Sequence, residues 1–306
     1  MSTIEVEKLW RRFGKVEAVR DLSFQVREGE IFGFLGPNGA GKTTTTRVLM
    51  GFIRASAGQV RVFGRDAWRD SAAIRAGVGF VPGELHLYEK MTGSQTLRFL
   101  AAYRAHGALQ RGQDLARQLD LDLHRRVKEL SKGNRQKLIV VQALMHDPPL
   151  LVLDEPTSGL DPLMQGAVLE LFARERDRGK TIFFSSHLLH EVEQIADRVA
   201  VIRAGRLAAV EEISHLKEKR ERSMDVTLRE PAPAGAFDGL SGVRLAASHD
   251  EGRRLHLAVS GDLQPLLQRL AALPVADLVY PPADLESVFM YYFERSSAPA
   301  AEEVPA

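Results

Sequence analysis

The chain of 306 residues has no cysteine, which excludes disulfides and thiolate metal sites and suits a reducing compartment. An excess of charge of either sign is also missing: 41 Lys and Arg face 40 Asp and Glu, for a formal net charge of +1. Such a balance gives no footprint for nucleic acid, which normally shows as a basic stripe. No apolar run approaches the ~20 residues needed to cross a bilayer. Met1-Ser2-Thr3-Ile4-Glu5 carries an acid and opens no apolar stretch, so no signal peptide is expected. Any work at a membrane would therefore pass through a partner. The length exceeds one ordinary domain, and a core with an appended unit is expected.

Two stretches carry most of the chemistry. Leu150-Leu151-Val152-Leu153-Asp154-Glu155 reads as a short buried strand ending in two carboxylates. Asp154 would sit beside a bound Mg²⁺, and Glu155, one residue further, would polarise a water. An acidic strand-to-loop corner is common, so this alone decides little. Far upstream, Gly36-Pro37-Asn38-Gly39-Ala40-Gly41-Lys42-Thr43 matches the phosphate-binding loop pattern in full. It follows an apolar strand at 30–35 and opens a helix at about 42–50, the context the motif requires. Gly36, Asn38, Gly39 and Gly41 let backbone N–H groups turn inward around a phosphate, and the helix N-terminus adds partial positive charge. Lys42 would reach the β- and γ-phosphates, the Thr43 hydroxyl would bind Mg²⁺, and Thr44 is placed to donate to the α- or β-phosphate. A glycine-rich turn capping an ordinary helix is the plain alternative; the later acidic strand counts against it. The expected ligands are ATP and Mg²⁺.

Leu130-Ser131-Lys132-Gly133-Asn134-Arg135-Gln136-Lys137 stands shortly before the acidic strand, with Ser131 as a helix N-cap and Gly133 permitting close backbone approach. With the two motifs above, this segment resembles the signature of ABC-type ATPases. Ser158-Gly159-Leu160-Asp161 resembles the family's D-loop, and His187, after an apolar strand at 181–184, resembles its switch histidine. The motifs keep the family order over roughly residues 1–220. The resemblance implies a head-to-tail dimer in which each ATP lies between one copy's phosphate loop and the other's signature. Ser131 and the Gly133 backbone would then touch the γ-phosphate held by the partner, with Glu155 as general base, His187 on the γ-phosphate and Asp161 linking the two sites. Phe13, in Arg11-Arg12-Phe13-Gly14, fits the place of the aromatic that stacks on adenine, although an ordinary core phenylalanine would read the same way.

Three departures from the family pattern stand out. After Pro82, where the family usually has glutamine, this chain has Gly83 and then Glu84. Either Glu84 takes over the metal contact, with Gly83 supplying flexibility and glutamine tolerated at 83, or Glu84 is a solvated loop residue. Lys132 and Asn134 replace the usual glycine and glutamine of the signature.

The resemblance implies an α/β P-loop NTPase core with an antiparallel β subdomain, read from alternation at 4–35, and a helical subdomain at about 84–148, within a nucleotide-binding domain at 1–222. From 223 to 295, alternating strands near 243–247 and 254–259, a helix at 263–273 and a final helix at 285–294 follow the order of a small ferredoxin-like α+β unit whose first helix is short or missing. The tail at 296–306, Ala, Pro and Glu, is expected to be disordered. A lone nucleotide-binding domain with this signature and tail is similar to ATPase subunits of bacterial exporters, the drug- and antibiotic-resistance branch in particular. That similarity implies a second copy, an integral membrane permease as partner, and a cytoplasmic position on the inner face of the membrane. A non-transport ABC ATPase acting on ribosomes or nucleic acid, or a weakly hydrolysing regulatory module, is the rival reading.

Overall fold

The computed structural model describes residues 2–83, 87–104, 106–218, 222–233 and 235–280. Glu84, the helix expected at 285–294 and the tail at 296–306 lie outside the described residues. The chain divides into two compact units, the second beginning at Glu212, ahead of the boundary expected at 222.

In the first unit, β1 (Ser2–Phe13) and β2 (Val16–Arg27) pair as an antiparallel hairpin. Leu22, Phe24 and Val26 are buried between exposed neighbours, the period of a sheet with one wet face. β4 (Ala57–Val62) pairs with β1, and β5 (Arg65–Asp66) closes a sheet of order β2-β1-β4-β5. A second sheet, of order β10-β9-β3-β8-β7-β6, has β3 (Ile31–Leu35), β6 (Val78–Val81), β7 (Leu150–Asp154), β8 (Thr181–Ser186), β9 (Arg198–Arg203) and β10 (Arg206–Glu212). Strands β3, β7 and β8 are buried at every residue, which explains their continuous apolar sequence. The two sheets are joined by rings: Phe24 of β2 stacks on Phe32 and Phe183 at centroid distances of 5.5 and 5.9 Å. Each such buried ring contributes about 1.5–3 kcal/mol of burial.

Five α-helices precede the acidic strand among the described residues. α1 (Lys42–Leu49) and α2 (Ser71–Ala76) belong to the sheet core, followed by α3 (Gly93–Ala101), α4 (Ala108–Gln118) and α5 (Lys132–Leu144). Thr92 starts α3 through a reciprocal capping box with Gln95, at 3.2 and 2.9 Å. Charge ties the last two helices to the core. Arg111 of α4 meets Glu175 at 2.8 Å and Asp147 at 3.1 Å, and Lys180 meets the same carboxylates at 2.7 and 2.5 Å. The Lys180 hydrogen bond holds the Asp147 carboxyl below its ordinary range. α6 (Pro162–Asp177) begins with proline at its first position and ends before Gly179, and α7 (Leu189–Ile195) follows β8.

The second unit holds α8 (Ile213–Glu218), β11 (Arg222–Leu228), β12 (Val243–His249), β13 (Arg254–Val259), α9 (Gln264–Ala271) and β14 (Val275–Val279). Its sheet order is β12-β13-β11-β14 with antiparallel pairing throughout. Numbered within the unit this is 2-3-1-4, the ferredoxin-like arrangement. The crossover between β11 and β12 consists of turns, without a helix, among the described residues. Met224, Val226, Leu257 and Leu266 form its own core.

Candidate functional site

Strand β3 delivers the chain to a loop that is pressed between neighbours. A Cβ on Gly36 would stand 2.3 Å from the Ile202 carbonyl. Gly41 has φ 105°, and a Cβ there would stand 2.6 Å from the Ala18 carbonyl. Only glycine fits either place. Gly39 and Asn38 complete the turn between them. Lys42 is 4% exposed, and its ammonium donates to the Gly36 and Pro37 carbonyls at 2.8 and 3.2 Å, bending back over the loop. The four threonines that follow divide into two kinds. Thr45 and Thr46 donate their hydroxyls to the Gly41 and Lys42 carbonyls, each at 3.0 Å. The hydroxyls of half-buried Thr43 and Thr44 have no hydrogen-bond partner among the described residues and remain available to a ligand.

Strand β8 lies between β3 and β7, so the loops at the ends of all three open side by side. Asp154, 1% exposed at the end of β7, accepts a 2.7 Å bond from the Ser185 hydroxyl at Oδ1. Glu155 takes a left-handed conformation, φ 50°, and its N–H donates to the Ser185 carbonyl and hydroxyl, both at 3.2 Å. A non-glycine residue held there costs about 1–3 kcal/mol. The turn it produces sends the two carboxylates in different directions. Glu155 Oε1 lies 3.2 Å from Lys42 Nζ, and Oε2 lies 3.3 Å from His187 Nδ1. Lys42, Glu155 and His187, distant in sequence, therefore form one line of contacts.

Supporting groups that sequence reading missed hold this cluster. Gln136 of α5 donates to the Pro156 carbonyl at 2.6 Å. Buried Glu191 accepts from the hydroxyls of Thr157 and Ser186, the latter at 2.5 Å. The only sequence signal for the Glu191 pair was a carboxylate on the inner face of a short helix after a Ser-Ser run. Nothing pointed to Gln136.

The other expected residues lie elsewhere. Ser131 caps α5 by accepting from the Asn134 N–H at 3.2 Å, and Asp161 caps α6 by accepting from Met164 at 3.0 Å. A Cβ on Gly133 would lie 3.4 Å from the Gly159 carbonyl, so the heads of these two helices are neighbours. Among the described residues no hydrogen bond or ion pair joins Ser131, Gly133 or Asp161 to the 36–43 loop. The head of α5 is rich in cations and has no acid in its first turn, which favours an approaching anion. Phe13 is not a core residue: it is 46% exposed at the tip of the hairpin whose Ala18 touches Gly41, and the Arg11 guanidinium lies 4.3 Å from its ring centroid. The backbone at Gly83 comes close to Asp154. A Cβ there would stand 2.9 Å from Asp154 Oδ2, the far end of a side chain, so a larger residue at 83 asks that carboxylate to shift.

No group of three or more His, Cys, Asp or Glu able to cage a metal occurs among the described residues. A single hydroxyl at Thr43 and a single buried carboxylate at Asp154 suit Mg²⁺, which keeps phosphate and water oxygens as its remaining ligands. Among the described residues no helix is long and apolar enough to cross a membrane.

Residues 19–158 match the family model described as ABC transporter. The chain is 36% identical over 299 residues to the Nod factor export ATP-binding protein I of Burkholderia lata, covering 95% of this chain and 96% of that protein. It is 39% identical over 226 residues to a fluoroquinolones export ATP-binding protein of Mycobacterium tuberculosis, covering 72% and 74%. A solved structure of the ATP binding subunit of an ABC transporter is similar at TM-score 0.64 and 29% identity, over 71% of this chain and 92% of that one.

Proposed function

The chain belongs to the ABC transporter ATP-binding proteins and is an ATPase, and from that premise we propose that two copies close head to tail around ATP and drive export through a separate membrane permease. The observation that carries the catalytic part is the buried Lys42 ammonium, held at 3.2 Å by Glu155 on a loop shaped for phosphate. An arriving triphosphate offers Lys42 a stronger anionic partner. Glu155 is then released, with His187 beside its other oxygen, to accept a proton from water. The water oxygen attacks the γ-phosphorus, the bond to the β-phosphate oxygen breaks, and ADP and phosphate are the products. Mg²⁺, held by Thr43 and Asp154, would neutralise charge on the β- and γ-phosphate oxygens. Thr44 donates to the phosphates and Phe13 offers its ring to adenine.

Dimerisation is supported by the head of α5. Ser131 and Gly133 form an anion-favouring helix terminus that has no bond to the chain's own phosphate loop among the described residues, and a second copy can bring one to it. Asp161 beside it sits where the two sites would communicate. Export, with a drug or antibiotic as one class of cargo, is supported by the named activities of the relatives. A pull-down of the full chain from membranes tests this reading. Co-purification with an integral membrane protein is expected; association with ribosomes or nucleic acid in its place would overturn it.

A further inference from the structure

Helix α7 follows the loop that carries His187, and it is fixed in place by its buried residues Val192 and Ile195. Glu191 on the same helix is 1% exposed and is bonded at both oxygens: Thr157 donates to Oε1, and Ser186 donates to Oε2 at 2.5 Å. The two donors come from the two segments that meet at the site. Thr157 stands in the turn that begins at Glu155, closed by the Ser158 N–H on the Glu155 carbonyl at 3.1 Å. Ser186 is the last residue of β8, directly before His187, and its hydroxyl also accepts from the Leu188 N–H at 2.9 Å. Its carbonyl receives the Gly36 N–H at 3.2 Å, at the entry to the phosphate loop. Thr157 and Ser186 are 2% and 1% exposed, which keeps bulk water out of the bridge.

We infer that Glu191 is a positioning residue: one buried side chain bridges the turn after Glu155 to the residue before His187, and so sets the 3.3 Å contact between Glu155 Oε2 and His187 Nδ1. This rests on the reading of Glu155 as the base with His187 beside it. Bonds from the Glu155 N–H to Ser185, both at 3.2 Å, join the strand ends. The Glu191 bridge joins the loops that continue past them. Cutting either arm frees one loop from the other, so both arms serve a single effect. Neither arm involves Lys42, Thr43 or Asp154, so nucleotide and Mg²⁺ binding are spared while the geometry of proton transfer is not.

The test uses the full-length protein and steady-state phosphate release with Mg²⁺ and ATP. The variants are Thr157→Val, Ser186→Ala, the two combined, Glu191→Ala, Glu191→Gln, His187→Ala alone and with Glu191→Ala, and Glu155→Gln. The two hydroxyl deletions carry the test if Glu191→Ala does not fold. A misplacement of about 1 Å at a reacting group can cost about 10²-fold in rate. Thr157→Val, Ser186→Ala and Glu191→Ala are each expected to lower kcat by about 10–10²-fold with KM for ATP unchanged. Because the arms form one bridge, the Thr157→Val, Ser186→Ala double variant should be no slower than either single one. For the same reason Glu191→Ala should cost less in the His187→Ala background than in wild type. Glu191→Gln, whose amide can accept from one hydroxyl and donate to the other, should recover most of the rate. Wild-type kcat in both hydroxyl deletions while Glu155→Gln is slow would overturn the inference and leave the base intact. Strict additivity of the two arms, losses that fall in KM, or a Glu191→Gln protein as slow as Glu191→Ala would also overturn it. Near wild-type turnover by Glu155→Gln would overturn the underlying reading instead.

Discussion

Replacing Glu155 with glutamine should slow hydrolysis, weaken the empty protein and tighten ATP binding, all from one change of charge. The side chain keeps its size, so packing is not at issue. Its carboxylate is 3.2 Å from the ammonium of Lys42, which is 4% exposed, and 3.3 Å from His187. At an effective dielectric of ~20, charges at this separation attract with about 5 kcal/mol gross. Glu155 is 24% exposed and Lys42 keeps two carbonyl partners, so desolvation and compensation offset most of this. A net of ~1–2 kcal/mol is reasonable for a partly buried pair. For a unit of this size the empty protein should then lose about 2–8 °C in Tm. In the nucleotide complex the phosphates are the partner of Lys42, so the loss applies to the empty state alone. ATP affinity should therefore rise about 5–30-fold, each 1.4 kcal/mol being tenfold. Turnover should fall about 10²–10⁴-fold, the usual contribution of a general base. Thermal shift with and without ATP, equilibrium binding and phosphate release measure the three quantities. Turnover near wild type would refute the base, and ATP affinity unchanged or weakened would refute the competition between Glu155 and phosphate.

Two further outcomes follow from the geometry. Phe13→Ala should weaken ATP binding by about 1–3 kcal/mol, the worth of a base stack, without changing the affinity for inorganic triphosphate, and Phe13→Tyr should restore it; equal losses for both ligands would remove the stacking role. Burial, aided by the charge of Arg104, pushes the His146 imidazole from 6.5 down to about 4. As pH falls below 6.5 the unfolded chain takes up this proton first, so stability should drop between about 6.5 and 4 and level off below that window. His146→Asn should flatten the Tm against pH curve across the window, and parallel curves would show that the ring does not titrate with folding.

The legible parts of the site were those written in consecutive residues. The loop from Gly36 to Thr43 and the strand ending at Asp154 each need a fixed local spacing, and the structure has both where spacing implied. The Ser131 cap was legible for the same reason: it accepts from an N–H three residues on. What sequence could not show were bonds between strands. Ser185 meets Asp154 because β8 runs beside β7, and Gln136 meets Pro156 because α5 packs over the turn; neither pairing has a local signature. The closeness of Gly83 to Asp154 was hidden on the same ground, because it depends on β6 lying beside β7. In the second unit, alternation in β12 and β13 and the helix between β13 and β14 were enough to imply the ferredoxin-like order. The antiparallel partner of β1 on its other edge, β4, was not foreseen, because its first three residues are exposed and carry little apolar pattern.

The central claim is that each ATP is completed by a second copy, and mixing two disabled variants tests it most directly. Lys42→Ala removes the phosphate-loop ammonium, and Ser131→Arg blocks the head of α5. In a mixed dimer one site has both motifs intact and the other has neither. ATP hydrolysis is expected to be lost in each variant alone and to reappear on mixing, at a rate above that of either. Wild-type turnover by Ser131→Arg alone, or a mixture no more active than its separate components, would contradict a site shared between two chains.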